Sequence, residues 1–89
     1  MELDWDEEKR QDALRRHGVD FADVARIDFT AARIIIDDRR DYGEPRWITY
    51  GLVGDRLHVV CWTIRNERMR VISFRKANER EQKIFAASA

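Results

Sequence analysis

The stretch Arg56–Lys76, RLHVVCWTIRNERMRVISFRK, decides how this chain folds. Its arms, RLHVVCWTIR and RMRVISFR, are rich in β-branched and aromatic residues, and Asn66-Glu67 separates them. Such a pattern predicts two strands joined by a two-residue hairpin, although Asn-Glu is a weaker turn signal than Asn-Gly. Upstream, RWITYGLV runs into Gly54-Asp55, a pair suited to a type II′ turn, so a third strand joins the same meander. Pro45 stands just ahead of it, where its missing N–H does little harm. ARIIID reads as a fourth strand, followed by the polar loop DRRDYGEP with Gly43 and Pro45 as breakers.

Helices flank this sheet. DWDEEKRQDALRRHG has Asp4 or Asp6 to cap its first turn, acids at its positive end, and Arg15, Arg16 and His17 at its negative end. Gly18 suits the left-handed position that ends a helix. DFADVARI predicts a second short helix capped by Asp20, and Met1–Trp5 alternates as a short strand would. NEREQKIFAA predicts a closing helix, with Asn78 and Glu81 spaced as a capping box. The expected fold is α+β in a single domain, 1–89: two N-terminal helices, about four antiparallel strands and a C-terminal helix.

With two-residue loops at both hairpins, period-two alternation assigns the faces of the sheet. One face carries Ile48, Tyr50, Leu52, Leu57, Val59, Cys61, Ile72 and Phe74, with the first two helices as its natural cover. The other carries Trp47, Thr49, His58, Val60, Trp62, Val71, Ser73 and Arg75, with His58 directly across from Arg75. That mixed face either binds nucleic acid by stacking and phosphate contacts or is covered by the C-terminal helix.

Composition narrows the class. The 89 residues carry seventeen basic and seventeen acidic groups, so net charge is zero. Residues 1–44 hold thirteen acids and eight bases, and residues 45–89 hold four acids and nine bases. A basic second half suits RNA, DNA or an acidic protein as partner; alternatively the halves neutralise each other in the fold. Fourteen of the cations are arginine, whose planar fork matches phosphates and carboxylates. The lone Cys61 cannot form an internal disulfide and reads as a small core residue. Without a signal-like or membrane-length apolar run, the expectation is a soluble, cytoplasmic protein with no membrane partner.

Metal and cofactor chemistry have no support in the residue spacing. His58 and Cys61 point to opposite faces of a strand, and no phosphate loop or serine nucleophile motif occurs. His17 suits a helix cap, favoured by the helix dipole, and catalysis is the competing reading. Arg65, Arg68, Arg70, Arg75 and Lys76 create a local positive field. Arg68 and Arg70 suit a solvated hairpin tip, whereas Arg75 and Lys76 are better placed to converge on a ligand.

WDEEK, RRHGVDF, GEPRW, TIR and RVISFRKANERE stand in the order and spacing that resembles the BrnT family of bacterial toxins. The shared patterns are W-D-x-x-K, H-G-V-x-F, G-E-x-R-W and I-S-x-R-K-A, and the resemblance runs from Trp5 to Phe85. It implies a RelE-like fold and a ribonuclease toxin of a type II toxin–antitoxin system, inhibiting translation and neutralised by a BrnA-type antitoxin. Complexes of this kind meet DNA only through the antitoxin, and a dimer or heterotetramer is the expected assembly.

RelE-like chemistry implies attack of the ribose 2′-hydroxyl on the neighbouring phosphate without metal or cofactor. It needs a base, cations for the phosphate and an acid for the leaving oxygen. On this resemblance Arg65 and Arg75 stabilise the phosphate and Lys76 grips substrate or moves a proton. His58, a residue type that titrates near neutrality, is the expected base or acid. Arg46, Trp47 and Arg70 are the expected RNA contacts, while His17, Gly18, Asn78 and Glu81 are structural. Three departures stand out: Asp12 where asparagine is common, Phe74 where alanine is common, and Phe85 where tyrosine is frequent. With zero net charge, the missing hydroxyl favours the rival reading, a non-catalytic domain that binds an antitoxin or nucleic acid.

Overall fold

The computed structural model describes residues 1–88. In chain order it holds β1 (Leu3–Trp5), α1 (Glu7–His17), a 3-10 helix (Phe21–Arg26), β2 (Arg33–Ile36), β3 (Trp47–Val53), β4 (Arg56–Arg65), β5 (Arg68–Lys76) and α2 (Glu79–Ala87). All five strands form one sheet in the order β1-β5-β4-β3-β2. This is an α+β fold, with two differences from expectation. The N-terminal segment is a fifth strand that pairs parallel to β5, so the sheet is only mostly antiparallel. The second expected helix is a single 3-10 stretch, short because Asp20 caps it and Ile27 leaves in extended conformation.

Both turns have two residues. Trp47 pairs with Trp62 and Val53 with Arg56 across the first hairpin, which places the residues of β3 and β4 on the expected faces. Arg65 pairs with Arg68 across the second. Asn66 and Glu67 adopt φ of 52° and 63°, the type I′ combination that matches strand twist but burdens a side chain without amide chemistry at Glu67.

The faces diverge from expectation within β5. Trp62 pairs with Val71 and Cys61 with Ser73, leaving Ile72 as an extra, bulged residue. A bulge inverts every side chain beyond it. Phe74 therefore lies across from Val60, and Arg75 lies across from Val59 on the opposite face. The expected His58–Arg75 pairing gives way to His58–Lys76.

The covers are also exchanged. Val60, Met69, Val71 and Phe74 pack against Ala13, Val19, Phe21, Val24 and Ile27, so α1 and the 3-10 helix cover the face expected to be mixed. Leu57, Val59 and Ala77, with Ile48, Tyr50, Leu52 and Phe85, form a second cluster beneath α2. The physical reason is the bulge: once Phe74 joins Val60 and Val71, that face is the more apolar and takes the larger cover. Thr49, fully buried there, is satisfied by the Trp62 indole at 2.8 Å. Trp62 in turn stacks on Trp47 with centroids 4.9 Å apart.

Gly51 marks a close approach. A Cβ there would meet Cγ2 of Ile27 at 2.5 Å, so the missing side chain lets the segment after the 3-10 helix lie on β3. Gly51→Ala is expected to cost roughly 1–3 kcal/mol through overpacking, measured as a lower urea midpoint. Glu67→Gly is expected to act oppositely, raising stability by about 0.5–1 kcal/mol by relieving the left-handed backbone.

Candidate active site at the edge of β5

β1 reaches only as far as Val71, so beyond the bulge the outer edge of β5 carries no strand. Instead α1 passes that edge. Its start is fixed by Asp6, whose carboxylate accepts from the amides of Glu8 and Lys9, and its end by Gly18 at φ 67°. Lys9, Ala13 and His17 are spaced four residues apart and so share one helical face. Ala13 is buried against the sheet, which holds Lys9 and His17 on either side of it, along the edge of β5.

Between helix and edge lies a cleft of about 520 Å3. Lys9, Arg15, His17, Ser73 and Arg75 line it with polar atoms, Glu8 and Asp12 add carboxylates, and Ala13, Phe21, Ile72 and Phe74 supply apolar surface. Three sequence motifs, two at the ends of α1 and one on β5, thus meet in one concavity. Lys9 comes from W-D-x-x-K, His17 and Phe21 from H-G-V-x-F, and Ser73 and Arg75 from I-S-x-R-K-A.

The charges in the cleft are unequal in their freedom. Asp12 accepts from Arg16 at 3.0 Å and lies 3.5 Å from Arg15. Arg75 forms a two-point pair with Glu81, at 2.8 and 2.9 Å. The Arg75 guanidinium holds the Glu81 carboxyl down to about 2, with the Asn78 amide adding to the effect. Glu81 also closes the α2 capping box with Asn78. Lys9 has no ion-pair partner among the described residues.

Arg75 and Ser73 also line a second concavity, of about 390 Å3, on the α2 side of the sheet. There Asp37 accepts from Arg39 at 2.7 and 2.8 Å and from the Tyr42 hydroxyl at 3.0 Å. The Arg39 guanidinium keeps that buried carboxyl far below the usual carboxylate range, against the penalty of burial. Phe85, the position of the missing tyrosine, lines neither of these two concavities; its ring packs with Leu57, Val59 and Ala77.

The other residues singled out in the sequence lie elsewhere. Arg65 sits at the far end of β4, six positions beyond the partner of Arg75, about 20 Å away along the strand. It forms a two-point pair with Glu44 at 3.0 and 2.8 Å, and Arg46 shares the same carboxylate while lying 4.2 Å over the Tyr42 ring. Arg70 donates to Asp4 at 2.9 Å. His58 is only 8% exposed, stacks on Phe74 and shares a 2.9 Å hydrogen bond with the carbonyl of Arg56. Lys76 is exposed, opposite His58 and adjacent to Arg75 in the chain. Lys9 has no role in the sequence reading, and Ser73 enters it only as part of the mixed sheet face, although both belong to the quoted motifs. Their signal lies in the motif letters, but only the fold shows that they line one cleft.

With this geometry in place, comparison with known proteins identifies the class. The family described as ribonuclease toxin, BrnT, of type II toxin-antitoxin system matches residues 5–81. The chain belongs to that family, and an antitoxin protein is the partner such a system implies. No curated protein matches the chain.

The Arg75–Glu81 pair makes a pH prediction. Glu81 has a lower pKa folded than unfolded, so its contribution is complete above about 4.5 and is lost as pH falls towards about 2. Glu81→Gln is expected to lower stability at pH 7, with the difference from the parent protein shrinking between pH 4.5 and 2. Urea titrations of both proteins across that range check it.

Proposed function

We propose that the α1–β5 cleft is the catalytic centre of a cytoplasmic, RelE-like ribonuclease toxin that cuts RNA by attack of the 2′-hydroxyl. The observation that carries this reading is the meeting of Lys9, His17, Ser73 and Arg75 around one open cleft. Arg75 is the cation for the developing charge on the phosphate, and Lys9, which is in no ion pair among the described residues, adds a second. His17, exposed at the helix end, is the group that moves a proton, a task suited to imidazole chemistry. Lys76 grips the RNA backbone beside the cleft. Arg46, Trp47, Arg65 and Arg70 act at most as outlying RNA contacts, given their distance and existing partners. The burial of His58 argues against the acid–base role expected for it. A BrnA-type antitoxin silences the toxin by covering this edge.

A second reading has its own support. Glu81 already occupies the Arg75 fork, and Asp12 places a carboxylate where a phosphate would come. Both favour a domain that binds its antitoxin and cleaves nothing.

Incubating the antitoxin-free protein with a defined RNA in EDTA, then with ribosomes, separates the two. The proposal expects fragments ending in 2′,3′-cyclic phosphate or 3′-phosphate. Lys9→Ala and Arg75→Ala are expected to slow cleavage by about 100-fold or more, and Arg65→Ala by far less. Intact RNA under both conditions would support the binder, and equal loss in Arg65→Ala would sink the assignment to the α1–β5 cleft.

A further inference from the structure

The buried carboxylate of Asp37 is a charge that the cleavage chemistry leaves unused. Its side chain has no exposure to solvent, while that of its partner Arg39 is 69% exposed. Burying a charge is costly, and apolar packing would hold the loop against the sheet as well or better. What the pair achieves is orientation. Asp37 accepts from Nε of Arg39 at 2.7 Å and from Nη2 at 2.8 Å, so one edge of the guanidinium is fixed to the protein. Nη1 has no hydrogen bond among the described residues, which leaves its donors for a ligand.

The GEPRW motif completes the support. The Tyr42 hydroxyl donates to Asp37 at 3.0 Å, and the Arg46 guanidinium lies 4.2 Å over the Tyr42 ring. The Arg46 carbonyl accepts the Asp37 amide at 2.8 Å, and Glu44 holds the Arg46 guanidinium at 3.2 Å. A motif with no part in the α1–β5 cleft thus serves to fix one arginine.

That arginine lines a concavity which Arg75 shares. The space, about 390 Å3, is in the range of pockets that enclose a small ligand. Ile35, Ile48, Val59 and Tyr50 give it an apolar wall suited to a base, and the Asp38 carboxylate suits base amino groups. Glu81 raises the pKa of Arg75 and the charge of Arg39 works against it, so the two guanidinia are electrostatic neighbours. Ser73 and Arg75 line the α1–β5 cleft as well. The two concavities therefore meet at the stretch of β5 beyond Val71 that β1 leaves bare. A polynucleotide strand can bring one anion to Arg75, a base into the concavity and a second anion to Arg39.

We infer that single-stranded RNA crosses the bare edge of β5 with one phosphate at Arg75 and a neighbouring phosphate at Arg39, which Asp37 positions. The inference rests on reading the α1–β5 cleft as the RNA site, and it assigns the α2-side concavity to the adjoining nucleotide.

The probe is a short single strand of 2′-O-methyl RNA, which cannot be cut by 2′-hydroxyl attack. Its affinity for the antitoxin-free protein is measured by fluorescence anisotropy over a range of salt concentrations. For a single strand, each phosphate contact adds about 0.7 to the steepness of log K against log salt. Asp37→Asn with Arg39→Ala removes the pair together, leaving net charge unchanged and no buried carboxylate unpaired. This double variant is expected to lose about 0.7 of that slope and to bind about tenfold more weakly. Glu2→Gln with Arg68→Ala, equally neutral in sum and at the far end of β5, is expected to change neither. Asp37→Asn alone adds net positive charge, so attraction by bulk charge would tighten binding, whereas loss of positioning is expected to weaken it. Circular dichroism checks that each variant is folded. Binding that falls with Arg75→Ala but is unchanged in the folded double variant overturns the role of Arg39 and leaves the cleft assignment standing. A parent protein that does not bind the probe, or binds it regardless of Arg75→Ala, overturns both.

Discussion

The single residue inserted at Ile72 constrains more of this structure than any ion pair does. Before the bulge, β5 is an inner strand between β1 and β4; beyond it, β5 is an edge. The same insertion sends Phe74 into the main core and turns Arg75 to the other face, where Glu81 of α2 receives it. Bulges of this kind twist a strand away from its neighbour and re-aim side chains, and both effects are present here. The position of α1, the open edge, and the apolar floor of the cleft all follow from that local break in register.

Electrostatics then set which cations remain available. Acids of the first half meet bases of the second: Glu2 with Arg68, Asp4 with Arg70, and Glu44 with Arg46 and Arg65. The opposite charges of the two halves are thus largely consumed within the fold, and the hairpin cluster is not a bare positive field. An exposed pair such as Glu2–Arg68 contributes little stability, roughly 0–1 kcal/mol. Within the cleft, Arg15 and Arg75 have carboxylate partners, and Lys9 is in no ion pair among the described residues.

Much of the sheet was legible in the sequence because short-range chemistry fixes it. Gly54-Asp55 set the turn that put Ile48, Tyr50 and Leu52 beside Leu57, Val59 and Cys61. β2 was visible as a run of branched residues, and Asn78 and Glu81 stand at a helix start where they form a capping box. What period-two alternation could not reveal was the extra residue, since Val71, Ile72 and Phe74 are all apolar and suit either face. The bulge sets Arg75 across from Val59 instead of His58 and exchanges the helical covers. The site was legible only in pieces. Arg75 and His17 each stand out singly in the sequence, but Lys9 is sixty-six positions from Arg75, and no local pattern reports that distance closing.

The parallel pairing of β1 with β5 has a consequence for the order of events during synthesis. Leu3 rests beside Met69 and Trp5 beside Val71, so the first strand made has no place until the last has been added. A nascent chain that ends at β4 already carries α1, yet it has no edge against which Lys9 and His17 can be set. Closing so long a loop is slow compared with forming either hairpin. The cleft is therefore a property of a chain complete through β5, and no shorter nascent chain can form it.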